Sequence, residues 1–173
     1  IGNSVFMQYQ KLPDGTLGEL PSRSVDFGGG LERLTAAVNN NPDIFFSDLF
    51  LPLIGEIQEI SQKKYNSNHI ENRYFRIIAD HIKASVMLTA EGVTPSNKDK
   101  GYVVRRLLRR AIWYGRNYLF VPDKFSTKLI EPVIKIYNSA YPELAARKQF
   151  ILDAFQAEES KFFQTIDRGK RKM

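Results

Sequence analysis

A chain of 173 residues with 43% hydrophobic and 25% charged residues has the balance of an ordinary folded domain, which excludes a disordered tail or linker. No apolar run approaches the ~18 residues of a membrane span, no basic-then-apolar leader opens the chain, and the absence of cysteine rules out disulfides and thiolate zinc sites. The net charge of +6 points to an anionic partner, and the composition fits the cytosol.

"SVFMQYQ" is rich in Val, Phe and Tyr, "LPDGTLGELP" supplies Pro-Asp-Gly turn chemistry, and "RSVDF" is a second extended run, so residues 4–27 are predicted to form a β-hairpin. From Leu31 the period becomes helical through "LERLTAAVNN", with the asparagines and Pro42 as its stop. Ser47 or Asp48 is the expected cap of the next helix, along which Leu51, Ile54, Ile57 and Ile60 recur. "KKYNSNHIEN" reads as a polar loop, and "RYFRIIADHIKASVMLTAEG" as an amphipathic helix burying Phe75, Ile78, Ala79, Ile82, Val86 and Ala90, with Gly92 as its stop. A second loop, "VTPSNKDKG", leads into the helix "YVVRRLLRRAIWYGRNYL". Two more helices are predicted, over about 126–139 and from 143 to the end. The fold class is therefore mainly α with a short antiparallel β-hairpin, divided near residues 40–43 into a first part, 1–41, and a helical body, 42–173.

The glycines of "VDFGGGLERL" match neither common phosphate loop. Gly28 and Gly30 give G-x-G, but Arg33 stands where a dinucleotide fingerprint needs its third glycine, and no G-K-[ST] follows. A tight strand-to-helix connection is the plain alternative. The chemical reading is that these glycines admit a ligand to the backbone, that Asp26 ends the strand and pairs with an ammonium group, and that Arg33 clamps a phosphate with its fixed fork.

On a helical projection Arg105, Arg106, Arg109, Arg110 and Arg116 share an arc of roughly 140°, while Val103, Val104, Leu107, Leu108, Ala111, Ile112 and Leu119 fill the remainder. No acid lies between Gly101 and Tyr118. A stripe of one sign is the footprint of a nucleic-acid or other polyanion site. The competing reading buries some of these arginines against acids elsewhere, Asp80 or Glu91 for instance. Asn97, in the loop ahead of this helix, is on its own a turn former or cap. His69, His81, Tyr102, Trp113 and Tyr114 read as structural, with neither a metal set nor a paired acid and base: neighbouring residues on a helix, such as Asp80 and His81, do not face each other.

These residues carry a resemblance. "VDFGGGLERL" resembles motif 3 of the class II aminoacyl-tRNA synthetases in its alanyl form, V-D-T-G-x-G-L-E-R. "NSVFMQY" is similar to that family's N-L-V-F-M-Q-[FY] strand, and "FRIIADHIKASVMLTAEGVTPSNKDKGYVVRRLLRRAIWYGR" to its long helix–loop–helix. The likeness runs from about residue 3 to "EESKFFQTIDRG". Phe27 departs from the family's Thr, and Lys83 and Lys100 from its arginines, keeping charge but losing the bidentate fork.

The resemblance implies that residues 1–41 are the C-terminal edge of a class II catalytic domain and 42–173 most of a helical tRNA-recognition domain. It implies that Arg33 and Gly30 contact ATP, and that Asp26, Gly28, Val5 and Asn3 line the alanine site. It implies that Asn97, Lys100, Arg105, Arg106, Arg109, Arg110 and Arg116 meet the acceptor stem of tRNA(Ala), with Asn97 near a G·U wobble pair in the shallow minor groove. The implied partners are alanine, ATP and that tRNA, with no membrane. The cofactors are ATP and Mg²⁺, and zinc belongs only to an editing domain outside this stretch. A chain opening on Ile1 and closing in "DRGKRKM" is expected to be a piece of a longer enzyme, inactive alone. A non-catalytic synthetase-like RNA-binding module and a helical protein–protein adaptor are the alternatives.

Overall fold

Alternating Val, Phe, Met and Tyr pair with the second extended run as two antiparallel strands, β1 (Gly2–Lys11) and β2 (Leu17–Gly29). The turn between them is set by Asp14, whose Oδ1 accepts from Thr16 N at 2.9 Å and from Thr16 Oγ1 at 2.6 Å, bonds that hold its carboxyl below the usual carboxylate range. The register slips between Met7 and Tyr9. Pro21, which has no N–H for a ladder, falls in the unpaired stretch this irregularity creates. The strand does not end at Asp26, as the sequence led us to expect, but continues through Gly29. Gly2 and Gly29 lie opposite each other, so the first two glycines of the run serve as ladder residues and only Gly30 forms the junction.

Helix α1 (Leu31–Val38) starts at Gly30, and Asn40, at φ +48, turns the chain out of it. Asn and Asp adopt that left-handed conformation more readily than other side-chain-bearing residues. A short 3₁₀ turn, Ile44–Phe46, follows, with the Asp43 side chain accepting from Phe45 N at 3.1 Å.

The structure, a computed structural model, describes residues 1–170, and the chain divides into a compact unit over Ile1–Ser47 and another over Asp48–Met173. In the second unit α2 (Leu51–Ser61) is not capped by Ser47 or Asp48. The Ser47 hydroxyl donates instead to Ile44 O at 2.6 Å, and Pro52 occupies the first turn, where a missing N–H costs nothing. Helix α3 (His69–Ala90) begins inside the expected polar loop because Asn68 caps it, accepting from Ile70 N at 2.9 Å. Helix α4 (Asp99–Tyr114) runs into a single π turn, Gly115–Leu119.

The two helices expected beyond it each arrive in two pieces. Helix α5 (Phe125–Lys128) stops where the ring of Pro132 would clash with the Lys128 carbonyl, and α6 (Ile130–Tyr137) resumes after Leu129. Helix α7 (Glu143–Ala146) is separated from α8 (Lys148–Lys170) by Arg147, whose Nη1 donates to Ala90 O at 2.6 Å at the end of α3. The expectation of helix to the very end falls, for residues 171–173, outside the described residues.

The α3–α4 pair forms the centre of the second unit. The predicted α3 face, Phe75 through Ala90, is buried as expected; α3 packs against α4, α6 and α8, in which Val104, Leu108 and Ile112, Ile130 and Val133, and Ile151 and Phe155 are buried as well. Val103 and Leu51, assigned to core faces by periodicity, are exposed, and Leu53 is buried in α2.

Candidate functional site

The ladder brings together four of the residues expected around alanine. Asn3 pairs with Gly28 and Val5 with Asp26. Directly opposed residues of an antiparallel pair project to the same face, and alternate residues share it, so Asn3, Val5, Asp26 and Gly28 form one patch of one ribbon face. A Cβ built on Gly28 meets nothing within 4 Å, so a small ligand can sit directly on the backbone there, beside the Asp26 carboxylate. Phe27 belongs to the opposite face. Its ring lies over the Gly2–Gly29 pair, where a Cβ on Gly2 would stand 2.9 Å from its Cε2. The one departure inside the motif therefore leaves the Asp26 face untouched.

Arg33 stands in the first turn of α1 with its stem folded back over Gly30, whose hypothetical Cβ would lie 3.2 Å from Arg33 Cδ. A side chain at position 30 would push the guanidinium away from the helix start. Arg33 also borders an open cleft of about 380 Å³ with Ala36, Asn40, Asn41 and Ile44. This places a bidentate cation at the mouth of a concavity within the first unit.

The arginine arc of α4 is not one surface. Its edge formed by Arg105, Arg109 and Arg116 is turned onto α8 and the segment after the π turn. Arg109 Nε donates to Glu158 Oε1 at 2.6 Å, and Arg105 Nε lies 3.3 Å from the same oxygen. Arg109 also covers the Phe162 ring at 5.0 Å, while Arg116 covers Phe163 at 4.5 Å with Asp123 Oδ1 3.9 Å from its Nη1. The other edge, Arg106 and Arg110, is exposed, as is Lys100.

The acid that Arg105 and Arg109 share is thus Glu158, 4% exposed, whereas Arg116 has Asp123 and the charge of Arg110 acts on Asp80. Sequence reasoning missed Glu158, although a signal was present: Ile151, Phe155, Glu158 and Phe162 fall at helical spacing, which places an acid on the apolar face of α8.

Asn97 is exposed in the loop before α4, and its Oδ1 accepts from Arg105 Nη1. The loop backbone is closed by Ser96 N donating to Gly101 O at 3.0 Å. Gly101 is required by close approach, since a Cβ there would stand 2.5 Å from Thr94 O. A cleft of about 350 Å³ beside the loop is lined by Thr94, Pro95, Arg105, Glu158 and Lys161 among others.

The whole chain, residues 1–173, matches the family described as tRNA synthetases class II (A). It belongs to that family. Over 169 residues, 98% of this chain, it is 40% identical to an alanine–tRNA ligase of Listeria welshimeri and 43% identical to one of Idiomarina loihiensis. An alanine–tRNA ligase of Endomicrobium trichonymphae is 41% identical over the same length. The chain spans 19% of the length of these curated relatives.

Class II synthetases use ATP with Mg²⁺, and the residues present fit the nucleotide better than the metal. Arg33 and the open glycine backbone suit phosphate and adenylate, whereas among the described residues no three His, Cys, Asp or Glu side chains gather as a cation site, so no step is assigned here to a metal. No described helix is long and apolar enough to cross a membrane.

Two expectations about single residues are corrected in this synthetase chain. Asp80 and His81 do face each other: His81 Nδ1 lies 2.8 Å from Asp80 Oδ2, because Nδ1 sits close enough to the backbone for the short carboxylate to reach it. That hydrogen bond, helped by the charges of Lys83 and Arg110, holds the Asp80 carboxyl below its ordinary value. Tyr102 and Trp113, read as structural residues of the core or its edge, are 50% and 41% exposed, whereas Tyr114 stacks at 5.4 Å on Tyr74. Lys83, which stands where the family pattern has arginine, lies 4.4 Å from the centroid of the Phe50 ring.

Proposed function

We propose that this chain is part of an alanine–tRNA ligase, supplying one wall of the ATP and alanine site and a helical surface for the acceptor stem of tRNA(Ala). Residues 1–41 serve the first role and 42–173 the second. The observation that carries the reading is the shared ribbon face, with a carboxylate at Asp26, open backbone at Gly28, and Asn3 and Val5 directly across the ladder.

On this reading Asp26 pairs with the ammonium group of alanine, and Gly28 leaves room beside it for a methyl group. Arg33, held over Gly30, neutralises phosphate oxygens as the alanine carboxylate attacks the α-phosphorus in line. The α–β phosphoanhydride bond breaks, releasing pyrophosphate and leaving the alanyl adenylate. Positioning and charge neutralisation perform this reaction, with no protein nucleophile. Arg106 and Arg110, together with Lys100, supply phosphate contacts to the stem, and Asn97 reads its minor groove. Arg105, Arg109 and Arg116 contribute to that surface from their places against α8 and the segment that follows α4.

The test is ATP–pyrophosphate exchange by the full-length enzyme. Asp26→Ala is expected to raise the KM for alanine and Arg33→Ala to impair use of ATP, each lowering kcat/KM by roughly tenfold or more, since a charge-assisted contact is worth about 1.5–3 kcal/mol. Wild-type exchange kinetics in both variants would remove these residues from the site.

A further inference from the structure

We infer that Arg105 and Glu158 are positioning residues that fix which way the Asn97 amide points. The inference rests on the reading of Asn97 as the residue that meets a base pair. An exposed asparagine can present either its carbonyl oxygen or its NH₂ group, and a flip of the amide exchanges an acceptor for a donor. Here the choice is made by Arg105. A guanidinium carries only donors, so its Nη1 selects Asn97 Oδ1 and turns Nδ2, the donor, away from itself. A donor presented to a shallow minor groove matches the acceptors found there, the pyrimidine O2, purine N3 and ribose 2′ oxygens.

Arg105 can do this because it is itself held. Its side chain is only 14% exposed, and its Nε lies 3.3 Å from Glu158 Oε1. The same oxygen accepts from Arg109 Nε at 2.6 Å, so one buried carboxylate neutralises two guanidinium groups on successive turns of α4. Without that charge Arg105 and Arg109, one turn apart, lose the carboxylate they share, and their mutual repulsion favours a swing of Arg105 toward solvent. The loop backbone is fixed separately, by the bond from Ser96 N to Gly101 O and by the close approach at Gly101. The relay from α8 through α4 therefore acts on the orientation of one amide. A charge already committed to Glu158 is also a poor phosphate ligand, which distinguishes Arg105 from exposed Arg106 and Arg110.

The experiment measures binding of full-length enzyme to matched acceptor-stem RNA duplexes carrying G·U or G·C at one position, across a salt titration, with melting curves for each variant. Glu158→Gln and Arg105→Met are each expected to reduce the G·U preference about threefold to tenfold, the range of one hydrogen bond, while leaving the salt slope near its original value. Asn97→Asp keeps the acceptor for Arg105 but deletes the donor, and should lose the preference as fully as Asn97→Ala. In the Asn97→Ala background neither Glu158→Gln nor Arg105→Met should change the preference further. Because Glu158 is buried, Arg105→Met decides the matter if Glu158→Gln does not fold. An intact preference in Arg105→Met beside a lost one in Asn97→Ala overturns the relay and leaves the base-reading role standing. An intact preference in Asn97→Ala overturns the base-reading role itself, and the relay with it. A salt slope lowered by Arg105→Met with the preference unchanged assigns Arg105 to phosphate and likewise overturns the relay.

Discussion

Phe75 is fully buried and Phe6 is 78% exposed, and the contrast holds for the units they belong to. The helical unit closes a core of its own from α2, α3, α4, α6 and α8. The ribbon unit leaves Val5, Phe6, Val25 and Phe27 exposed, and its strands pair only with each other. A two-stranded ribbon is marginal alone, and large exposed apolar patches mark surfaces that meet something else. Both units are written in ordinary apolar periodicity. The difference shows that a pattern specifies an element, while burial depends on how many other elements are there to receive it.

The largest expected effect tests the first half of that contrast. Phe75→Ala removes a ring that is fully buried and packs edge-on against Tyr65 with centroids 5.7 Å apart. It should cost about 3–5 kcal/mol, enough to displace the helical melting transition by many degrees or abolish it. Helical circular dichroism followed through thermal melting reads the outcome. A loss under about 1 kcal/mol would mean that the α3 face is not the keystone of this core.

Legibility in the sequence followed the same division. The α3 face was readable because its period of 3.6 is sustained over six turns and everything on it is covered. Within the ribbon patch Asp26 and Gly28 were nameable from their chemistry, but Asn3 and Val5 only through the family likeness, since periodicity does not reveal register. The pairing of Val5 with Asp26 depends on a bulge at Pro21 and a strand that runs on to Gly29. The arginine arc was correctly located along α4, but the projection treats a helix as if one side were solvent. It took α8 to show that Glu158 claims the edge near Arg105 and Arg109. Interruptions such as Leu129 were legible in retrospect from Pro132, and the break at Arg147 depends on a contact with Ala90 that no local signal encodes.

A smaller effect is expected from a polar burden inside the well-packed unit. Glu159, 1% exposed, accepts a hydrogen bond from the buried Ser126 hydroxyl, and burial pushes its carboxyl above the usual range, with Asp123 adding to the shift. A carboxyl with a raised folded pKa contributes stability that is fully present below the ordinary glutamate value and lost as pH rises through the raised one. Ionising this carboxyl therefore works against the folded state. Glu159→Gln keeps the size and a partner for Ser126 without the charge. It should raise the melting temperature at pH 7, by the equivalent of about 1 kcal/mol, and change it little near pH 4. Comparing variant with wild type at each pH cancels the opposite trend from Asp80, whose lowered pKa withdraws stability on acidification. A larger gain at pH 4 than at pH 7 reverses the sign and defeats the assignment.

The smallest expected change in stability lies in the ribbon, and it tests the other half of the contrast. Phe27→Thr restores the residue of the family pattern at a ring that is 64% exposed and rests over Gly2 and Gly29. Little packing is lost, so the helical transition should shift by no more than about 0.5 kcal/mol. Threonine also suits a strand through its β-branched shape, which offsets the missing ring. What should change is the surface: binding of an apolar dye such as anilinonaphthalene sulfonate should fall, because one of the largest exposed apolar groups is gone. Asp26 and Gly28 project from the opposite face, so alanine-dependent exchange by the full-length enzyme should keep its KM within about twofold, a change worth under 0.5 kcal/mol. A destabilisation approaching that of Phe75→Ala would show that the exposed ring carries as much stability as the buried one and would break the contrast. A large rise in the alanine KM would show instead that Phe27 shapes the pocket through the strand, and that the two faces of this ribbon are not independent.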